Sequence, residues 1–135
     1  MKIIKILLLG LVLLSGCNRD QTINSNDDVP IDVDREGIRK ILSDGSDPKI
    51  PMIVDFFLVI PDKKTGETLG PIINAEGFTS EIQYNRQDDV WSLKCSRRML
   101  LTSNGLAKIQ LSLGDIAKPY GGKPNGWGTF GNKEQ

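Results

Sequence analysis

The sequence of 135 residues contains no histidine and only two cysteines. The absence of histidine excludes His-dependent catalytic triads and removes the commonest general base and the commonest zinc ligand. Basic and acidic residues balance at 17 each, and a near-neutral chain lacks the positive charge that nucleic-acid binding requires. The sequence therefore predicts no bound metal, no cofactor and no nucleic-acid partner.

A membrane-spanning hydrophobic run is also missing, because the apolar stretch 6–14 is far shorter than the roughly 20 residues that cross a bilayer. This stretch follows Lys2 and Lys5 and ends at Leu14-Ser15-Gly16-Cys17. A basic start, an apolar run and small residues are typical of a secretory signal. The cysteine directly after two small residues is similar to the lipobox of bacterial lipoproteins. The alternative is an ordinary secretory signal in which the cysteine is incidental.

The lipobox interpretation predicts both the processing and the location of the protein. We expect residues 1–16 to be a signal peptide and Cys17 to carry acyl groups such as palmitate, since two or more acyl chains anchor stably. Asn18 follows the cysteine, which by resemblance to enteric lipoproteins suggests sorting to the outer membrane. The predicted location is the periplasmic face of the bacterial cell envelope.

The mature chain divides into a tether and one domain. Residues 17–33 carry the lipidated cysteine followed by a polar segment that has too little apolar surface to fold, so we expect a flexible tether. Residues 34–135 are expected to form a single domain. With Cys17 acylated, Cys95 has no disulfide partner, and we expect it to be a buried structural thiol.

Hydrophobic periodicity predicts the order of helices and strands in the domain. We expect the second helix to be short or broken, and most secure over Pro71–Glu76, because Gly66, Gly70 and Pro71 interrupt its pattern. The other predicted elements are a helix at Asp34–Leu42, strands at Met52–Ile60, Phe78–Tyr84 and Val90–Met99, a helix from Thr102 or Ser103 to about Ala117, and a last strand at Gly126–Phe130. This order predicts an α+β fold: a ferredoxin-like split β-α-β-β-α-β sandwich with an antiparallel sheet and an extra N-terminal helix.

The apolar residues of these elements predict which side of the sheet is buried. The strand Met52–Ile60 is almost entirely apolar and is expected to be central and buried on both faces, or nearly so. The expected core residues are Phe56, Leu58, Ile82, Trp91, Leu93, Leu106, Ile109 and Leu113.

The face of the sheet away from the helices is the candidate binding surface. If Trp91 and Leu93 face the helices, Lys94 and Arg98 face away, and one register of the central strand adds Asp55, Phe57 and Val59 to them. An apolar centre with a charged edge is typical of protein interfaces. In the other register Phe57 points inward and Phe56 outward, since a shift of one residue exchanges the faces.

Two short segments stand out by their composition. Asp44, Gly45, Asp47 and Pro48 form an Asp-Gly-Ser-Asp-Pro turn, which we interpret as a helix stop with Asx-type bonds rather than as paired carboxylates for acid–base chemistry or for a cation. Gly126, Trp127, Gly128 and Thr129 lie in the last strand, where we expect the glycines to allow close backbone approach and the indole to pack on the core. An exposed stacking platform is the alternative for the tryptophan.

Together, the Asp-Gly-Ser-Asp-Pro turn and the Gly-Trp-Gly-Thr strand resemble the regulator of ribonuclease E activity B family (RraB family), whose members are small bacterial proteins. The resemblance covers roughly Asp34–Phe130 and extends to the Gly77-Phe78 step and to Cys95. It implies a ferredoxin-like fold and a protein-binding mode, with a mainly structural role for the two motifs. The family's named activity is to bind and restrain a cytoplasmic endoribonuclease, a target that an exported lipoprotein would not meet.

Two functions are compatible with these observations. The first is a membrane-anchored binding module that regulates or inhibits an unidentified protein partner, for instance as an immunity protein against a toxin delivered to the periplasm. The second is a small envelope enzyme of unknown reaction. The missing histidine and the lack of a nucleophile–base signature argue against the enzyme. We therefore expect a non-catalytic regulator.

Overall fold

A computed structural model of the protein describes residues 31–133, which form four strands and three α-helices. The predicted signal peptide, Cys17 and most of the predicted tether lie outside these residues. In chain order the elements are α1 (Ile31–Ser43), β1 (Met52–Ile60), α2 (Lys63–Ala75), β2 (Thr79–Asn85), β3 (Val90–Met99), α3 (Ser103–Ala117), a short 3-10 helix (Lys118–Tyr120) and β4 (Lys123–Thr129).

The four strands form one antiparallel sheet in the order β2-β3-β1-β4. β1 is central and pairs with β3 on one side and with β4 on the other. Each β-α-β crossover thus joins strands that are not neighbours, as the split arrangement requires. The predicted α+β ferredoxin-like fold with an extra N-terminal helix is confirmed.

The core lies between one face of the sheet and the helices. Along β1 the burial alternates, so that every second residue from Met52 to Ile60 is buried and Ile53 is exposed. The prediction that β1 is buried on nearly both faces is therefore wrong, since the helices cover only one of them. Leu69 and Ile73 of α2 complete the core together with Leu106 and Leu113 of α3.

The predicted core residues all take part in this core. Ile82, Trp91 and Ile109 are partly buried and pack against it. The fully buried members are Phe56, Leu58, Leu93, Leu106 and Leu113.

Helix α2 differs from its prediction, since it runs unbroken over Lys63–Ala75. It starts early because Oδ1 of Asp62 accepts hydrogen bonds from the amide of Thr65 at 2.8 Å and from its hydroxyl at 2.7 Å. These bonds lower the pKa of the Asp62 carboxyl. Gly66 allows the helix to lie close to the sheet, because a Cβ there would come within 2.8 Å of Cγ1 of Ile82. Pro71 is tolerated inside the helix on its exposed side, where water can satisfy the carbonyl that loses its partner.

Candidate functional site

The five residues predicted to form the partner-binding surface lie together on the sheet face opposite the helices. We call this surface, centred on β1 and β3, the open face. The register of β1 and β3 pairs Phe57 with Lys94 and Asp55 with Ser96. Phe56 points into the core with an exposed fraction of 1%, so the register with Phe57 outward is correct. The open-face pairs on these two strands are Ile53–Arg98, Asp55–Ser96, Phe57–Lys94 and Val59–Ser92.

The polar groups of the open face are paired with one another. Nζ of Lys94 lies 3.1 Å from Oε1 of Glu81 on β2, and the hydrogen bond with this carboxylate raises the pKa of the lysine. The Ser96 hydroxyl donates to Oδ1 of Asp55 at 2.6 Å. Phe57 and Val59 are half-buried between these pairs. The arrangement is an apolar centre flanked by polar groups that already have partners.

Two kinds of reactive group can be assessed in the described residues, namely clustered metal ligands and the Cys95 thiol. No group of three or more metal-ligating side chains occurs among residues 31–133. Cys95 is fully buried, as predicted for a structural thiol, and burial raises its pKa to about 12. A thiol with this pKa stays protonated at neutral pH and is a poor nucleophile.

The first sequence motif forms the turn between α1 and β1. Gly45 has a φ of +113°, a conformation that favours glycine and ends the helix. The amide of Lys49 donates to Oδ1 of Asp47 at 2.9 Å, which is the predicted Asx-type bond, and Pro48 lies between them. Asp44 makes no such side-chain bond within the described part of the chain. Its carbonyl instead accepts from Nζ of Lys133 at 3.0 Å.

The second motif attaches β4 to the helices through Trp127. The indole nitrogen donates to Oδ1 of Asp34 at 2.8 Å, and Oδ2 of the same carboxylate accepts from the side-chain Nε2 of Gln110 at 3.3 Å. The indole also lies against Gly37 of α1, where a Cβ would come within 3.0 Å of the ring. Trp127 is therefore a packed, hydrogen-bonded residue rather than a stacking platform. Asp34 lies inside α1 and, with an exposed fraction of 5%, links α1, α3 and β4.

The predicted reason for the glycines around Trp127 is wrong. A Cβ at Gly126 or at Gly128 would meet no atom within 4 Å, so neither glycine serves a close backbone approach. Gly126 is needed for its φ of +99°, which fits the register shift between β1 and β4 at this point. The strand also begins earlier than predicted, at Lys123, and Thr129 is its last residue.

A buried asparagine after β4 escaped the sequence prediction. Asn132 is 7% exposed. Its Oδ1 accepts from the Asp47 amide at 2.9 Å, and its Nδ2 donates to the carbonyls of Asp47 at 2.9 Å and Ile50 at 2.8 Å. The amide of Asn132 donates to the Ser46 hydroxyl at 3.1 Å. The residues that follow β4 are mostly polar and show no hydrophobic periodicity, so the sequence pattern did not predict this contact.

Comparison with known protein families identifies the domain. Residues 31–129 match the family described as regulator of ribonuclease activity B (RraB). The chain belongs to this family. No curated protein matches the chain. The matched range covers all the helices and strands that the described residues form and includes both sequence motifs, so the resemblance to the RraB family noted from those motifs is confirmed.

Family membership supports a regulatory role that depends on binding another protein. RraB proteins are regulators of ribonuclease activity and not enzymes themselves, which is consistent with the expected non-catalytic function. No helix among the described residues has the length and apolar character needed to span a membrane. Cys17 and the predicted lipobox lie outside the described residues.

Proposed function

We propose that this protein is a bacterial lipoprotein, anchored through Cys17 on the periplasmic face of the envelope, whose RraB domain regulates or inhibits a partner protein without catalysis. The observation that carries the proposal is the open face, on which Asp55, Phe57, Val59, Lys94 and Arg98 share one accessible surface. The regulatory nature of the family supports the same function.

The open face has the chemistry of a protein-binding surface. Phe57 and Val59 supply apolar area at its centre, and apolar centres with polar rims are typical of protein interfaces. The carboxylate of Glu81 and the ammonium of Lys94 already neutralise each other. A partner that covers the face would therefore bury a compensated pair and not an isolated charge, which would be far more costly to desolvate.

A pull-down with matched variants tests the open face. Phe57→Glu places a charge on an accessible face and should leave the melting temperature near that of the wild type while abolishing partner binding. Leu111→Glu is the control, because Leu111 on α3 is 71% exposed and lies away from the open face. Envelope proteins that bind the wild type and the control but not Phe57→Glu would be specific partners. Retained binding by a folded Phe57→Glu protein would show that the open face is not the binding surface.

The lipid anchor has an independent test. Cells labelled with radioactive palmitate should incorporate label into the wild-type protein but not into Cys17→Ser. Mass spectrometry should find that the wild type has lost residues 1–16 and that the variant retains them. Label on Cys17→Ser would overturn the anchor. Membrane fractionation of the wild type tests the outer-membrane location, which enrichment in the inner membrane would contradict.

A toxin delivered to the periplasm is the partner class that this location favours, since an anchored inhibitor would meet such a toxin on entry. Cells that lack the protein should then be killed by neighbouring cells that deliver the toxin. Wild-type protein should restore protection and Phe57→Glu should not. Full protection by Phe57→Glu would argue against inhibition through the open face.

A further inference from the structure

The two edges of the sheet differ in how readily they could pair with another strand. The outer strands are β2 and β4. Along β4, Pro124 lacks an amide hydrogen, Gly126 has a φ of +99°, and the pairing with β1 shifts its register. Proline and irregular backbone are features that keep an edge strand from pairing with another chain. The β4 edge is therefore protected.

The β2 edge carries none of these features. All seven residues from Thr79 to Asn85 pair with β3 in an unbroken register. The strand contains no proline, glycine or lysine, and its one charged side chain, Glu81, lies 3.1 Å from the ammonium of Lys94, which neutralises it. On its outer side β2 has no strand neighbour among residues 31–133. A regular, unprotected edge of this kind is suited to the addition of another strand.

Helix α2 supports β2 from the inner side and leaves its outer side accessible. The Ser80 hydroxyl donates to Oδ1 of Asn74 on α2 at 2.9 Å, and Gly66 lies against Ile82. Because α2 also contacts β3 and β1, it lies over the sheet and not beyond its edge. Ile82 is only half-buried, so a strand added at this edge would cover more of its apolar side chain.

We propose that β2 pairs antiparallel with β2 of a second copy of this chain, about a two-fold axis at Ile82. Ile82 is the middle residue of β2, so this register pairs the strand over its full length. It brings the Ile82 side chains of the two copies together at the axis. It also places Glu81 opposite Gln83 of the second copy, whose amide can donate to the carboxylate. A two-fold interface must be self-complementary in this way.

Other pairings between copies of the chain fit less well. A two-fold axis at Glu81 would put two carboxylates opposite each other, which destabilises a strand pair. An axis at Gln83 would leave Thr79 and Ser80 without partners. Head-to-tail pairing of β2 with β4 would build an open filament, but Pro124 and the register shift of β4 oppose it. The closed dimer about Ile82 is therefore the pairing that the two edges favour.

The dimer would join the two open faces into one surface. A two-fold axis perpendicular to the sheet keeps the helices of both copies on the same side, and the two four-stranded sheets become one sheet of eight strands. The β1 strands of the two copies then lie five strand spacings apart, about 24 Å, each with its Phe57. A partner with two binding sites would gain affinity from this arrangement. That consequence rests on the proposed role of the open face, whereas the dimer itself does not.

Charge variants at Gln83 test the dimer and its register. In analytical ultracentrifugation the mature chain, residues 17–135 with Cys17→Ser, should show a dimer whose fraction rises with concentration. Gln83→Glu places a carboxylate opposite Glu81 of the second copy, twice in each dimer, so the dissociation constant should rise about fivefold. Gln83→Lys places an ammonium there and should lower the constant by a similar factor. Lys108→Glu on the exposed side of α3 is the control for net charge and should change nothing.

Disulfide cross-linking gives an independent test of the register. A mixture of Glu81→Cys and Gln83→Cys chains should form a disulfide-linked dimer on mild oxidation, because opposite Cα atoms lie about 4.5–5.5 Å apart, within disulfide reach. Either variant alone should cross-link far more slowly, since its two copies of the new thiol sit on residues about 7–8 Å apart. Cys95 is buried and should take no part.

The outcomes separate the dimer from the open face. A chain that stays monomeric up to about 1 mM, where even a weak dimer is half formed, would overturn the proposal. Equal effects of Gln83→Glu and Gln83→Lys would do the same, as would single variants that cross-link as fast as the mixture. A dimer that dissociates with Phe130→Ala, at a fully exposed ring away from β2, and not with Gln83→Glu would show that the contact lies elsewhere. Phe57→Glu should leave the dimer intact, so failure of the open face as a binding surface would appear separately.

Discussion

Asn132 offers the sharpest test of the structure, because one small side chain joins the end of the chain to the turn before β1. Asn132→Ala removes three side-chain hydrogen bonds, two to Asp47 and one to Ile50, with lengths of 2.8–2.9 Å. Each such bond contributes about 1 kcal/mol net, so the free energy of unfolding should fall by about 3 kcal/mol. This is a large fraction of the roughly 5–15 kcal/mol that stabilises a typical domain.

The assay is thermal and urea unfolding, followed by circular dichroism. A loss of that size should lower the melting temperature by roughly 12–24 °C in a domain of this size. Asn132→Asp should be worse than Asn132→Ala, because it keeps the acceptor for the Asp47 amide but points a carboxylate at two carbonyl oxygens. Asn104→Ala on the exposed surface of α3 is the control. A change below about 0.5 kcal/mol for Asn132→Ala, the size expected of an ordinary surface substitution, or a more stable Asn132→Asp, would refute the network.

Three further predictions concern the core and its attachments. Trp127→Phe should cost about 1.5–3 kcal/mol in urea unfolding, because it removes a hydrogen bond to the buried carboxylate of Asp34; an unchanged midpoint would contradict the bond. Gly66→Ala should cost about 1–3 kcal/mol, since the new methyl group would press on Ile82, and a more stable variant would show that α2 has room to move. Cys95 should resist thiol reagents at pH 8 in the folded Cys17→Ser mature chain and react fully in denaturant, because its pKa of about 12 keeps the buried thiol protonated; rapid labelling of the folded chain would argue against burial.

The two motifs belong to the scaffold that positions the open face. The turn at Gly45 leads α1 into β1, and its attachment to Asn132 holds the start of the central strand. Trp127 ties β4, the other neighbour of β1, to α1 and α3 through Asp34. Substitutions in either motif should thus act on stability first, and their effects on binding have to be compared at matched folded fractions.

Helix α2 shows where local patterns are insufficient. Gly66 and Pro71 lower the intrinsic helix propensity, and from the sequence they predicted a break. In the fold, the glycine is the residue that lets the helix approach Ile82, and the proline falls on the solvent side. Both are compatible with a continuous helix once it packs on the sheet. Tertiary packing outweighs the low helix propensity of glycine, which costs about 1 kcal/mol relative to alanine.

From local patterns alone, the sequence predicted the order of elements, the antiparallel α+β class and most of the core, because strand and helix periodicities are local and survive without a partner. It allowed two registers for β1, with either Phe56 or Phe57 facing the core. The register with Phe57 outward could be chosen only from the fold, in which the helices cover the other face of the sheet. The Asn132 contact and the Asp34–Trp127 bond became visible only in the packed fold. These two contacts join residues 85 and 93 positions apart in the chain, and no local pattern records which distant backbone groups or side chains will become neighbours.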